Sequence, residues 1–294
     1  MISRSLRQRI GTLLREEAGA RPGARLLRTG DQAGRRILPT AVEDILPGGV
    51  VIGTHGPLFV HERLYTELNE RPAPLLRRYQ EISKASDSRP RRRARTLPEE
   101  VAALDPPERG LFQRFGPRRM LFLDIETCGL QSAPVFLVGL CHVGDRNLVL
   151  RQLFARDYAE ERALISEVER VARGFDFLVT YNGKSFDIPF LRDRAVHHRL
   201  RFEVTLPHLD LLWMARRRWR EQLPNCRLKT LEWHVLRRRR AGDVDGSEIP
   251  GIYHEYVKHG QPHRLLPIFH HNLLDVVAMA ELLPKLFDPE TAVY

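Results

Sequence analysis

The stretch LFLDIETCGL, residues 121–130, constrains the fold more than any other part of the sequence. Its apolar residues predict a buried strand, which two carboxylates, Asp124 and Glu126, interrupt. Because side chains two residues apart on a strand point to the same side, both acids are expected at one place. Burying two like charges together is costly unless a cation neutralises them. The motif by itself also fits a strand end whose acids face water. Further candidate site residues elsewhere in the chain are needed to favour a functional site.

The chain from residue 118 onwards predicts an α/β fold in which helices flank a mixed β-sheet. Strands are predicted at 120–126, 135–143, 147–154 and 175–182, and helices at 157–175, 186–198 and 265–287. The turn residues Gly144, Asp145 and Arg146 are expected to join the second and third strands into a hairpin. Asp187 is expected to open the helix after the fourth strand, where the helix dipole favours a carboxylate.

Residues 1–117 are predicted to form a smaller basic region before the main domain at 118–294. Its expected elements are a helix at 1–20, a loop at 21–48, a hairpin at 48–65, a short helix at 74–82 and an Arg-rich arm at 86–100. The chain carries a net charge of +10, and residues 1–119 hold 23 basic but only 14 acidic residues. This excess favours a polyanionic partner, most simply nucleic acid, although a solvated basic surface without a partner also fits.

Several classes of protein are disfavoured by the sequence. No apolar run has membrane-spanning length, and the basic N-terminus lacks a small-residue cleavage site. We therefore expect a cytoplasmic protein without a membrane partner. Cys128, Cys141 and Cys226 share no close spacing, which predicts neither a zinc site nor a disulfide framework.

A second group of polar residues lies in TYNGKSFDIPFL, where the strand at 175–182 turns into a helix. Sheets of α/β proteins place ligands at such turns, so Asn182 and Asp187 are candidate site residues. Both also fit an ordinary turn residue and an ordinary helix-start acid. Gly183, Lys184 and Ser185 do not complete a phosphate-binding loop, because Leu178 occupies the position of the required glycine.

A third group lies on the predicted helix at 265–287, in FHHNLLDVVAMAELL. Asp275 interrupts its apolar run, and His271 lies four residues earlier, on the same face of a helix. His270 lies five residues earlier and on a different face. In isolation, a His–Asp pair of this kind also fits a surface or core pair without catalytic function.

The three groups together provide four carboxylates and an imidazole. Asp124, Glu126, Asp187 and Asp275 form an oxygen-rich set of the kind that suits Mg²⁺ or Mn²⁺. Two such ions, about 4 Å apart, can stabilise the attacking and leaving oxygens of a phosphodiester. The set therefore predicts a metal-dependent phosphodiester hydrolase.

These motifs resemble those of the DEDD exonuclease superfamily, which has a ribonuclease-H-like fold. The first motif is Asp124-x-Glu126 followed by Thr127, the second is Asn182-x3-Phe186-Asp187, and the third ends in Asp275. More narrowly, the chain is similar to a bacterial family of predicted exonucleases labelled YprB-like. That similarity spans roughly residues 120–285 and includes HLDLL at 208–212, CRLKTLEWHVL at 226–236, GSEIPGIY at 246–253 and HNLLDVVAM at 271–279.

The resemblance implies a 3′–5′ exonuclease that releases 5′-nucleotides with two metal ions. Asp124 would bridge both ions, Glu126 and Asp275 would bind one, and Asp187 would bind the other, partly through water. A histidine would act as general base. The two main subtypes carry Tyr four residues, or His five residues, before the last Asp, whereas this chain has His at both positions. The helical spacing favours His271 and leaves His270 as the alternative.

Residues outside the motifs are open to more than one interpretation. Asn182 and Lys184 are candidate contacts to the substrate backbone, and Lys184 equally fits a solvated lysine. Asp210 either supports the site or caps a helix. Arg216–Arg218 and Arg237–Arg240 fit phosphate contacts or solvated faces. Asp243, Asp245 and Glu248 hint at a calcium loop, but their spacing is wrong for an EF-hand.

Three functions fit this sequence. A 3′–5′ exonuclease is favoured because the acidic set is intact. The alternatives are a nucleic-acid-binding protein that has lost catalysis on the same fold, and a nuclease that uses the same site on RNA or at internal positions. No short motif distinguishes DNA from RNA, because the 2′-hydroxyl is recognised through contacts in the folded structure.

Overall fold

The computed structural model describes residues 41–84 and 108–294 of the 294-residue chain. Strands are β1 Gly49–Gly53, β2 Gly56–Leu64, β3 Met120–Thr127, β4 Val135–Val143, β5 Leu148–Phe154, β6 Phe177–Thr180 and β7 His208–Asp210. Helices are α1 Val42–Ile45, α2 Ala73–Lys84, α3 Glu108–Phe115, α4 Glu161–Ala172, α5 Asp187–His197, α6 Leu211–Trp219, α7 Leu228–His234, α8 Ile249–His259 and α9 Leu266–Phe287. The predicted helix at 1–20, most of the loop at 21–48 and the arm at 86–100 lie outside the described residues.

One seven-stranded mixed sheet organises these elements, in the order β1-β2-β5-β4-β3-β6-β7. Among the first five strands in this order, β1, β2, β5, β4 and β3, neighbours pair antiparallel. Strand β6 then pairs parallel with β3, and β7 pairs parallel with β6. The predicted mixed sheet with flanking helices is therefore confirmed. The predicted hairpin of β4 and β5 is also confirmed, and α5 begins at Asp187 as expected.

The short strand β7 and the helix α6 behind it were not predicted. His208 and Asp210 make two of the three β7 residues polar, so the strand lacks an apolar run that sequence patterns detect. In the fold, β7 is held by its parallel pairing with β6, which no local pattern reports.

The predicted hairpin at 48–65 exists, and it joins the main sheet. Strand β2 pairs with β5, and Leu58 and Phe59 are fully buried. Helix α2 is anchored as well, since the Tyr79 hydroxyl donates a 2.5 Å hydrogen bond to the carbonyl oxygen of Ala280 in α9. These parts of the predicted N-terminal region thus share the core of residues 118–294. A separate region remains a prediction for the basic segments that the structure does not describe.

The two faces of the sheet pack against different helices, and β3 contributes to both. Leu121, Leu123 and Ile125 lie in the core with α4 and α5. Met120 and Phe122 lie in the core on the other face, with α9. Because side chains alternate along a strand, Asp124 and Glu126 share the face of Met120 and Phe122 and point towards α9.

Helix α9 is the long core helix of this face. Residues 262–287 are long and apolar enough to cross a membrane by composition, but 72% of the apolar window is buried within the protein. Packing against the sheet accounts for this apolar character.

Candidate functional site

A row of three residues on neighbouring strands forms the floor of the site. Asp124 on β3 lies opposite Gly139 on β4, which in turn lies opposite Gln152 on β5. Asn272 of α9 lies over this row. A Cβ added at Gly139 would lie 2.3 Å from Asn272 Oδ1, so glycine is what allows α9 to approach the sheet this closely.

Two successive hydrogen bonds hold Asp124: one runs from Gln152 to Asn272, and the other runs from Asn272 to Asp124. The Gln152 Nε2 group donates to Asn272 Oδ1 at 2.9 Å and to the Phe269 carbonyl oxygen at 2.8 Å. This leaves the Asn272 amide nitrogen to donate to Asp124 Oδ2 at 2.9 Å. The carboxylate of Asp124 is thereby fixed by a neutral partner.

Asp187 reaches the same place from the first turn of α5. Its Oδ1 accepts a hydrogen bond of 3.1 Å from the backbone nitrogen of Ile125, the residue between the two acids of β3. The side chain is buried, with 4% of its surface exposed. The end of β6 and the start of α5 therefore bring Asp187 to the β3 acids.

Glu126, His271 and Asp275 complete the cluster. Each offers one potential metal-ligating atom, and these atoms all lie within 4.8 Å of one another. His271 Nε2 lies 3.5 Å from Asp275 Oδ2, one helical turn further along α9. The structure thus brings all four predicted acids and His271 together.

Burial and mutual repulsion raise the pKa values of these acids. Burial raises the pKa of Glu126 from 4.5 to about 8. The charge of His271 acts to lower this pKa, and the charges of nearby acids act to raise it. Burial likewise raises the pKa of Asp187 to about 7. The pKa of Asp124 is raised well above its usual range by burial and by the charges of Asp275, Glu126 and Asp187. A cluster of this kind favours a cation that would stabilise the ionised carboxylates.

His271 is oriented by a residue whose role the sequence did not indicate. Its Nδ1 lies 2.7 Å from Asp243 Oδ1 and 3.1 Å from the carbonyl oxygen of Val244. Two acceptors face Nδ1, so this nitrogen carries the proton and Nε2 faces the acids as the potential base. Burial acts to lower the pKa of His271, but Asp243, Asp275 and Glu126 outweigh it and raise the pKa above 6.5.

His270 points elsewhere. Its Nε2 lies 3.3 Å from the carbonyl oxygen of Ala241, and burial lowers its pKa. The structure therefore brings His271, and not His270, to Asp275. The role of His271 as a base stays a prediction.

Arg240 lies inside the site, which corrects one interpretation of the Arg237–Arg240 run. Its side chain is only 6% exposed and pairs with Asp275, with Glu232 at 2.5 Å and with Asp243 at 3.4 Å. It is therefore neither on a solvated face nor free to contact phosphate. Its positive charge offsets part of the negative charge on the α9 side of the cluster.

Asp243 joins this network. Its Oδ2 lies 2.9 Å from Lys229 Nζ. Burial acts to raise the pKa of Asp243, but hydrogen bonds from His271 and Lys229 outweigh it and hold the pKa well below its usual range. The three acids in the loop before α8 do not act as one calcium loop. Asp245 bonds to Ser247 instead, while Asp243 holds the imidazole.

Asp210 fulfils both roles that the sequence left open. Its carboxylate accepts hydrogen bonds from the backbone nitrogens of Asn182 at 2.8 Å and Lys184 at 3.2 Å, and it caps α6 through the nitrogen of Leu212 at 3.1 Å. Asn182 has a left-handed backbone with φ of 67°. Asn182 and Lys184 are exposed on the loop that leads to Asp187, a position compatible with their predicted substrate contacts.

Sequence reasoning missed the roles of five side chains that shape this site. They are Gln152, Glu232, Arg240, Asp243 and Asn272. Glu232 and Asn272 lie within two of the segments that carry the family resemblance, CRLKTLEWHVL and HNLLDVVAM, which was the available signal. Gln152 stands beside Arg151 in a strand, and Arg240 ends an arginine run, so neither had a distinctive pattern.

The donor set fits a divalent metal centre. Carboxylate oxygens dominate it, and hard divalent cations such as Mg²⁺ and Mn²⁺ prefer oxygen ligands. Burial, and after it the charges of the neighbouring acids, raise the pKa values of Asp124, Glu126 and Asp187, so a bound cation would stabilise their ionised forms. The chemistry of these residues is therefore suited to binding such ions.

Comparison with known proteins identifies the superfamily of this chain. A family profile described as the RNase_H superfamily matches residues 121–287, and the chain belongs to that superfamily. The uncharacterised protein YprB of Bacillus subtilis strain 168 is 32% identical over 177 residues, which are 57% of this chain and 42% of YprB. The chain thus matches less than half the length of this relative.

A solved structure also resembles the chain. It is the family B DNA polymerase from the hyperthermophilic archaeon Pyrobaculum calidifontis, with 20% identity and a TM-score of 0.45 over 57% of this chain and 25% of the polymerase. That score is too low to support a functional argument.

Superfamily membership and the observed sheet together confirm the predicted ribonuclease-H-like fold. Nucleases of this fold generally use divalent metals, and the Glu126, His271 and Asp275 cluster offers suitable ligands.

Proposed function

We propose that this protein is a metal-dependent 3′–5′ exonuclease of the DEDD type that hydrolyses phosphodiester bonds of nucleic acid. The observation that carries the proposal is the convergence of Asp124, Glu126, Asp187 and Asp275, from three separate elements, at one largely buried place beside His271. Burying four carboxylates together without a function would be unfavourable, because each raises the energy of the others in ionised form. The cytoplasm remains the proposed location.

These four acids would hold two Mg²⁺ or Mn²⁺ ions. The ions would supply positive charge that stabilises the attacking and leaving oxygens of the phosphodiester. The protein holds its ligands ready for this purpose. Asn272 fixes Asp124, Ile125 fixes Asp187 through its backbone nitrogen, and Arg240 fixes Asp275.

His271 would act as the general base. Because Asp243 holds the proton on Nδ1, the neutral ring presents the lone pair of Nε2 to the acids. Water would lose a proton to Nε2 as its oxygen bonds to phosphorus. The bond from phosphorus to the 3′-oxygen would break, and that oxygen would take a proton from solvent. The products would be a 5′-nucleotide and a strand shortened by one residue.

Asn182 and Lys184 would position the substrate backbone. Asp210 accepts hydrogen bonds from the backbone nitrogens of both residues, which restrains the loop where it leads to Asp187. A positioned contact of this kind lowers the entropy that must be lost on reaching the transition state.

A nucleic-acid-binding protein without hydrolytic activity is the second candidate, and one observation favours it. The guanidinium of Arg240 already pairs with Asp275 and Asp243, so part of the positive charge expected from an ion is supplied by the protein. This candidate predicts that Mg²⁺ and Mn²⁺ leave both cleavage and the melting temperature unchanged.

The test is a nuclease assay on single- and double-stranded DNA and RNA, labelled at either end, with Mg²⁺ or Mn²⁺ and with EDTA. A 3′–5′ exonuclease releases the 3′ label first and converts 5′-labelled strands into a ladder, and EDTA should abolish both. Release of the 5′ label first would reverse the proposed polarity. Internal cuts would indicate an endonuclease.

Asp124→Asn is the decisive variant for this assay. It keeps the shape of the side chain but removes the charge, so turnover should fall by at least roughly 10²-fold, the cost of losing one preorganised electrostatic contact. Asp145→Asn is the matched control, because the Asp145 side chain is 89% exposed. Equal rates for Asp124→Asn and the parent would assign the activity to a contaminant or to another site.

A further inference from the structure

The four arginines at 237–240 alternate between the interior and the surface. Arg238 and Arg240 point inwards, where both pair with Glu232 and where Arg240 also pairs with Asp275. Arg237 and Arg239 are exposed. The left-handed backbone at Arg237, with φ of 54°, begins this segment. One short segment thus joins the acidic cluster to the protein surface.

Each outward arginine lies over an aromatic ring. The guanidinium carbon of Arg239 is 3.8 Å from the ring centre of Trp233, and that of Arg237 is 3.4 Å from the ring centre of Tyr294. Trp233 is 44% exposed and Tyr294 is 66% exposed, although both are large apolar side chains. We call Trp233 and Arg239 the stacking pair.

The stacking pair adjoins the proposed active site. Trp233 follows Glu232 in the chain, and Arg239 precedes Arg240, so both neighbours belong to the ion pairs that reach Asp275. Lys229 lies four residues before Trp233, on the same face of α7, and its Nζ contacts Asp243. A strand whose end occupies the acidic cluster would therefore have its next nucleotides within reach of the pair.

We propose that the stacking pair binds unpaired nucleobases of a single-stranded nucleic acid next to the active site, an inference that rests on the proposed nuclease function. An exposed indole and a planar guanidinium offer flat faces on which any base can stack, and the guanidinium also offers charge to the phosphates. Bases within a duplex are stacked on each other and cannot reach such a surface. The site should therefore prefer single strands and tolerate many sequences.

The test measures binding, and it uses the full chain with Asp124→Asn in Mg²⁺ so that the strand survives. The probes are an oligothymidylate and an abasic strand of the same length, each with a fluorescent label. Stacking predicts that the oligothymidylate binds about 5- to 150-fold tighter than the abasic strand, the usual range for one stacked base. Adding Trp233→Ala should remove most of this preference.

Arg239→Lys separates stacking from charge. It keeps the positive charge but loses the planar group, so the preference for bases should fall while the dependence of affinity on salt stays the same. Trp213→Ala is the matched control, because Trp213 is 52% exposed on α6 and has no hydrogen bond or ion pair to the acidic cluster in the described residues.

Three results would overturn the inference. These are an unchanged base preference in Trp233→Ala, an equal loss in Trp213→Ala, or equal binding of the oligothymidylate and of its duplex with oligoadenylate by the protein that carries Asp124→Asn alone. Thermal unfolding of each variant checks that the fold is retained. The binding test does not depend on cleavage. If the stacking pair does not bind bases, the nuclease assay can still support the proposed function. If the protein has no nuclease activity, the binding test still decides whether the stacking pair binds bases.

Discussion

Asp124 differs from the other acids of the site in the partner that holds it. Asp275 is paired with Arg240, and Asp187 accepts a backbone hydrogen bond, whereas Asp124 has only the neutral amide of Asn272. Like Glu126, it has no ion pair among the described residues, so its ionised form would gain from bound cations. This single-residue difference fits the bridging position between two ions that the family resemblance implies.

The two adjacent histidines should differ in effect. His271→Ala should lower turnover by roughly 10²- to 10⁴-fold, the usual value of a positioned base, with little change in substrate affinity. His270→Ala should be mild, because His270 faces Ala241 and not the acids. Steady-state kinetics on a 3′-labelled strand would compare them. The reverse ranking would assign the base to His270.

Asp243 should set the pH at which His271 becomes active. Turnover should rise with pH as His271 loses its proton, and the hydrogen bond to Asp243 helps to raise that pKa. Asp243→Asn keeps an acceptor for Nδ1 but removes the charge, so the rising limb should move to lower pH. The pH profile of kcat for both proteins measures this shift. A lower rate with an unmoved profile would mean that Asp243 acts only through structure.

At the scale of elements, the site depends on how closely α9 approaches the centre of the sheet. The row Asp124, Gly139 and Gln152 runs across three strands, and Asn272 contacts all three positions. The same close approach brings Asp275 and His271 to Glu126. The helix and the sheet therefore have to pack at one specific separation.

Gly139→Ala tests this packing. The added methyl would lie 2.3 Å from Asn272 Oδ1 and 2.7 Å from Val276, so α9 or Asn272 must move. We expect a loss of about 1–3 kcal/mol in the free energy of unfolding, the usual cost of overpacking, together with reduced turnover. Chemical denaturation and kinetics provide the measurements. Gly49→Ala on β1 is the control, because nothing lies within 4 Å of its added methyl, and a similar loss there would contradict the packing argument.

At the scale of the whole molecule, the buried acids link folding to pH and to metal. Burial raises the pKa of Glu126 from 4.5 to about 8, so the folded protein binds a proton there that the unfolded chain releases. The resulting stabilisation is fully present below about pH 4 and is lost as pH rises through about 8. Bound divalent ions should offset this loss, because they stabilise the ionised carboxylates.

Glu126→Gln isolates this contribution. The free energy of unfolding of the variant, relative to the parent in EDTA, should increase between about pH 5 and about pH 9, because glutamine has no proton to lose. Urea denaturation at several pH values measures the difference. The increase should shrink when Mg²⁺ replaces EDTA. A difference that stays constant over this range would mean that Glu126 is ionised throughout.

The sequence by itself determined the parts of this protein that depend on local order. Apolar periodicity located β3, β4, β5 and the helices α5 and α9, and it assigned Asp124 and Glu126 to one side of a strand. Helical spacing also favoured His271 over His270 as the neighbour of Asp275. Each of these inferences needs only the geometry of a single element.

Only the tertiary structure decided which elements meet at those faces. Arg240, Asp243 and Asn272 reach the site through contacts with residues 28 to 148 positions away in the chain, and no local periodicity or spacing reports such contacts. The hairpin at 48–65 likewise joined the main sheet through β5, against its expected place in a separate region. Periodicity fixes the direction of a side chain on its own element, but the partner that it meets is fixed by how the elements pack across the core.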